Sequence, residues 1–192
     1  MKNEELLTIP SYHDLVKQYH RHTDREAAIL AGSFVEAFTE KFLREFMKDH
    51  KDIDSLFKGY GPLATFAARI DLAWGFRYIS DIEKNNLTCI RKIRNHFAHH
   101  PAETSFAHSE AKKSLAILST SRPIPDSDGG TYTETNPRMQ YLFAVSLVIA
   151  SMYNTMLRLR KMKTLSTGIV QKSPLESISE SKPNSDSEAS HE

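Results

Sequence analysis

Residues 23–46 read TDREAAILAGSFVEAFTEKFLREF. Thr23 and Glu26 have the spacing of a capping box, in which hydroxyl and carboxylate each satisfy a free amide of the first helical turn. Behind them Ala27, Leu30, Ala31, Phe34, Val35, Phe38, Phe42 and Phe46 recur at helical intervals, which predicts a wide apolar face on a helix running to about Asp49. Such a face needs other helices to cover it.

The same pattern extends outward. Ser11 and Asp14 form a weaker capping pair for a short helix to about Tyr19. GYGP at 59–62 ends the first unit, and Pro62 suits the first position of a new helix with Leu63, Phe66, Ala67, Ile70, Ala73 and Trp74 facing inward. Ser80 and Glu83 form a second capping box, with Ile79 placed to staple the start. That helix should turn Ile90, Ile93 and Phe97 inward and stop near His99, because Pro101 biases His100 away from helical backbone. A short helix is expected near Ser109–Leu118, followed by a linker, Ser119–Asn136, in which Gly129-Gly130 could turn a small hairpin. Asn136-Pro137 launches a last helix to about Lys163, apolar nearly all round. From Thr164 the chain is Ser-, Pro- and Glu-rich, with too few large apolar groups to offset the entropy of ordering, and reads as disordered. The expected fold is all-α: a single-domain bundle of about five to six helices over 23–163, with an arm over 1–22 and a tail over 164–192.

The 192 residues suffice for one domain with a real core. The net charge of +1 hides an acidic tail with two lysines against five carboxylates, which leaves the rest of the chain at +4. That permits an anionic partner without demanding one. The single cysteine, Cys89, fits a reducing compartment and reads as a small packed thiol; Trp74 reads as core. MKNEELLTIP at the start carries acidic groups where a secretion signal would be apolar. Met139–Leu157 lacks any charge, yet Gln140, Ser146, Ser151, Asn154 and Thr155 would be costly in lipid. A core helix, no membrane partner and a cytoplasmic location are the expectation.

Residues 91–101, RKIRNHFAHHP, hold the densest chemistry: two arginines, a lysine and three of nine histidines. Arg94 falls close to the buried stripe of Ile90, Ile93 and Phe97, so its guanidinium needs a carboxylate, carbonyl or phosphate partner. Asn95 and His99 share one face, His96 and His100 the neighbouring strip. Three readings are open. His96 and His100 could chelate a metal, but a stable site needs further ligands and H-E-x-x-H is absent, so no metal and no cofactor is expected. Arg94, Asn95 and His99 spell R-N-x-x-x-H, in which a histidine could move the proton of a ribose hydroxyl while the arginine holds the scissile phosphate. Or Arg94 pairs with a carboxylate of a preceding helix, and Asn95 and His99 fix the loop after Pro101. Arg91, Arg94, His96 and His100 are the candidate binding residues.

R-N-x-x-x-H is similar to the signature of the HEPN superfamily, all-helical domains many of which are metal-independent ribonucleases with the site formed across a dimer. A wider stretch, with Gly61-Pro62-Leu63, Arg69-Ile70, the capping box at Ser80, the Arg94–His99 spacing and Ser105-Phe106, resembles the bacterial mannitol operon repressor family over about Ala27–Leu118. His96, His100 and the Ser-rich tail depart from it. The resemblance implies an all-helical, non-enzymatic transcriptional regulator that acts as a homodimer through a protein partner. The chain carries no helix-turn-helix spacing, zinc-finger cysteines or basic helical repeat, which leaves RNA or DNA only a weak electrostatic claim.

Overall fold

The computed structural model describes residues 11–19, 21–121, 124–125 and 130–170. Among them lie seven α-helices: α1 (Tyr12–Tyr19), α2 (Asp24–Arg44), α3 (Ile53–Phe57), α4 (Phe66–Gly75), α5 (Asp81–His99), α6 (Ser109–Ile117) and α7 (Pro137–Val170). A 3₁₀ turn, Ser119–Ser121, follows α6. The all-α expectation holds. The linker contributes one two-residue antiparallel ladder, in which Ile124 faces Tyr132 and Pro125 faces Thr131. The chain divides into two compact units within α7, Met1–Met156 and Leu157–Glu192. The described part of the second unit continues the helix to Val170.

Both capping boxes form as the sequence predicts. Thr23 Oγ1 accepts from the Glu26 amide at 3.2 Å, and Glu26 accepts from the Thr23 amide at 2.8 Å. Ser80 and Glu83 reciprocate in the same way. The core of the first unit is centred on α2 and α5. Ala27, Ala28, Ala31, Val35 and Phe42 of α2 meet Leu87, Ile90, Ile93 and Phe97 of α5, all essentially sealed from solvent. Burial of each large side chain of this kind stabilises by about 1.5–3 kcal/mol. α1 adds Leu15 and Tyr19, and the N-terminal half of α7 adds Tyr141, Val145, Val148, Ile149 and Met152.

The two central helices approach closely at Gly32. A Cβ there would stand 2.7 Å from Arg94 Cβ and 2.9 Å from Tyr141 Oη. The Tyr141 hydroxyl is fully buried and donates to the Ala28 carbonyl at 2.9 Å. Burial pushes its pKa well above the ordinary tyrosine value. A second junction collects at Asp24, whose carboxylate accepts from Arg138 Nε at 2.8 Å and from the Phe106 amide at 3.1 Å.

Several expectations are corrected. α2 ends at Arg44 rather than Asp49. α3 had no clear signal, since it spans only five residues. It is held by the buried Arg69, which pairs with Glu40 at 2.9 Å and donates to the carbonyls of Leu63 and Phe57. Pro62 does not open a helix. It lies in a turn packed so closely that a Cβ on Gly61 would fall 2.2 Å from the Ser55 carbonyl oxygen, and α4 starts at Phe66 with Thr65 as its cap. Trp74 is not core but 42% exposed, its Nε1 donating to Asp81 at 2.7 Å with Lys84 Nζ 3.6 Å from the ring centre. Leu30 and Phe34, expected inside, are half exposed. α7 runs on to Val170, so residues 164–170, read as disordered, are helical. The remainder of the expected tail, 171–192, and residues 1–10 and 20 of the expected arm lie outside the described residues.

α7 is the one helix among the described residues that is long and apolar enough to cross a membrane, over Pro137–Met162, and half of an 18-residue apolar window within it is buried inside the protein. A central core helix passes the same test.

Candidate functional site

α5 places the RKIRNHFAHHP chemistry. Because Ile93 and Phe97 are drawn fully into the core, the residues between them are fixed around the rest of the helix. Arg94 turns toward α2. Its Nη2 lies 2.7 Å from Glu36 Oε2, and its Nη1 donates to Asn95 Oδ1 at 2.8 Å. Glu36 is the carboxylate partner that one reading of the sequence required without naming it. Its position, four residues after Gly32 on the same helix face, is a signal that becomes legible only once α2 and α5 are known to pack together.

Asn95 and His99 together line an open groove of about 490 Å³. α5 and its C-cap supply Arg91, Lys92, Asn95, His96, His99 and His100 to this groove. α6 supplies Glu110, Lys113, Ser114 and Ile117. Arg91, His96 and His100, the other candidate binding residues, are therefore brought together, whereas Arg94 is not part of the lining. Lys92, Lys113 and Ser114 had not been singled out. No short-range pattern marks α6 as the opposite wall, which depends on how the chain turns back after Pro101.

That turn is held by histidines. His100 Nδ1 donates to the His96 carbonyl at 2.9 Å, and the two rings stack with centroids 4.4 Å apart. His96 Nε2 meets Glu103 Oε2 at 2.5 Å, and His108 lies 3.7 Å from the same carboxylate. The hydrogen bond from His96 holds the Glu103 carboxyl below the usual glutamate range. Across the groove, Lys113 lies 2.6 Å from Glu110 and lowers that carboxyl in the same way. Arg91 differs from all of these. Its Nε is buried and has no hydrogen-bond partner.

Among the described residues, no group of three or more His, Cys, Asp or Glu side chains is placed to hold a metal ion. Cys89 is buried, and burial pushes its thiol pKa up, which disfavours the thiolate a nucleophile needs. The groove thus offers cationic and amide donors, with the exposed imidazole of His99 beside them.

Comparison of the chain with protein-family models, with curated proteins and with solved structures gave no match.

Proposed function

We propose that this chain is a non-enzymatic regulatory module of the mannitol operon repressor kind, a cytoplasmic helical domain acting through self-association and a protein partner. The observation that supports it is the engagement of Arg94. With Nη2 on Glu36 and Nη1 on Asn95, this guanidinium joins two helices and stands outside the groove that holds His99. A ribonuclease needs its arginine and histidine converging on one phosphate. Arg94 would have to surrender a partly buried carboxylate to take that part.

The test is incubation of the purified protein with mixed RNA in EDTA, beside the His99→Ala variant. Neither protein should cut, and sedimentation should find both as dimers. Cleavage by the wild type alone would overturn the regulatory reading.

One observation favours a second reading, a metal-independent ribonuclease of the HEPN type. Asn95 and His99 line the same groove as Arg91, Lys92 and Lys113, so an imidazole stands beside cations able to hold a phosphodiester. On that reading cleavage follows a bell-shaped pH profile and survives EDTA; loss of activity in EDTA excludes it.

A further inference from the structure

We propose that the groove between α5 and α6 is the docking site for an acidic peptide segment of the regulatory partner, its carboxylates taken by Arg91 and Lys92. This inference rests on the regulatory reading and specifies the chemistry of its partner.

The charges around the groove are unevenly matched. His96 is met by Glu103 and Lys113 by Glu110. Arg91 and Lys92, adjacent on α5, make no ion pair among the described residues. The Arg91 Nε–H is buried without an acceptor, so this guanidinium is not neutralised by any described residue, and a carboxylate arriving in the groove would meet its charge at the terminal nitrogens with a charge-assisted bond. Asn95 adds a neutral donor. Its Oδ1 is occupied by Arg94, which leaves the amide NH₂ to bond a peptide carbonyl or carboxylate.

The lining favours peptide over nucleic acid. Single-stranded nucleic acid is held by aromatic platforms along a continuous basic track. This groove has no Phe, Tyr or Trp in its lining, two of its three imidazoles (His96 and His100) are stacked on each other, Ile117 provides an apolar wall, and the Glu110 carboxylate stands among the cations. Even the +4 that remains when the acidic tail is set aside is modest beside the basic footprint of a nucleic-acid binder. A volume of about 490 Å³ suits a few side chains.

The experiment uses the full chain and a fluorescein-labelled peptide of about eight glutamates, read by anisotropy at about 50 and about 200 mM salt. A glutamine peptide of equal length and a uridine oligonucleotide run beside it. The glutamate peptide should bind and weaken with salt, and the glutamine peptide should not bind. Lys92→Gln should weaken binding by about threefold to tenfold and Arg91→Gln by at least as much. Lys51→Gln, an exposed charge distant in sequence from the groove, should leave binding unchanged. Lys92 is exposed, so its variant carries the test even if Arg91→Gln fails to fold. Folded wild type that neither binds the glutamate peptide nor cuts RNA overturns the docking inference and leaves the regulatory reading intact. Equal weakening in Lys51→Gln, or tighter binding of the uridine oligonucleotide, also overturns it. RNA cleavage in the separate assay removes the regulatory reading itself.

Discussion

Arg94 of α5 reaches Glu36 of α2 with Nη2 and Oε2 2.7 Å apart, and the stem of that arginine lies over Gly32. The pair and the glycine are one device. The missing side chain lets the helices close, and closure brings the guanidinium to its carboxylate.

Arg94→Ala should therefore lower stability by about 1–3 kcal/mol, since it leaves Glu36 partly buried without its cation and removes a bond to Asn95. Urea denaturation measures this. Arg94→Lys should recover only part of the loss, because an ammonium cannot bond both partners with a planar fork. An unchanged melting temperature in Arg94→Ala would remove the structural role assigned here.

Gly32→Ala pits two effects against each other. Alanine is favoured over glycine inside a helix by about 1 kcal/mol, but its Cβ would stand 2.7 Å from Arg94 Cβ, which the backbone holds in place. Overpacking of this kind typically costs about 1–3 kcal/mol, so net destabilisation is expected. A gain in melting temperature would show that α2 and α5 can separate freely.

Arg77 occupies left-handed backbone with φ 58° just after α4. Glycine accepts this conformation without the Cβ penalty, so Arg77→Gly should hold stability level or raise it by up to about 1 kcal/mol. Arg77→Val should lose stability, because a β-branched residue is poorly accommodated there. Equal midpoints for the two variants would contradict this account.

The Glu103 carboxyl is lowered chiefly by its hydrogen bond with His96. A depressed carboxylate contributes stability that is fully present above its unfolded pKa and is lost as pH falls through the lowered folded value. His96→Ala should return Glu103 toward the ordinary glutamate range and remove that part of the acid-limb dependence. Carboxyl chemical shifts followed through a pH titration would detect the change; identical titration curves in both proteins would count against the clasp.

Asn86 donates to Ser119 Oγ at 2.8 Å and accepts from the Ser119 amide at 2.9 Å, tying α5 to the turn after α6. Asn86→Leu should cost about 2 kcal/mol, because it leaves the Ser119 amide without its partner. Thermal unfolding reads this directly.

Much of the frame was legible because its signals are local. Thr23 with Glu26, Ser80 with Glu83, and Pro101 state where helices begin and end within a few residues of themselves. Ile90, Ile93 and Phe97 state which face of α5 is inside. The misses have tertiary causes. Trp74 has the spacing of a core residue, but its indole N–H found Asp81 and its face found Lys84 at the surface. Pro62 has the chemistry of a helix start, but Gly61 is drawn against the α3 backbone and keeps it in a turn. The groove was half legible. Its α5 wall is one continuous run of sequence, while its α6 wall depends on the fold of the turn between them.

Asp24 joins Phe106 and Arg138 across separations of 82 and 114 residues. Contacts so distant in the chain close only after the intervening segments have docked. The three segments meeting at this one carboxylate therefore act as a latch on the finished molecule. Its influence falls on how long the native state persists: Asp24→Asn should accelerate unfolding in stopped-flow mixing while leaving the refolding rate nearly unchanged.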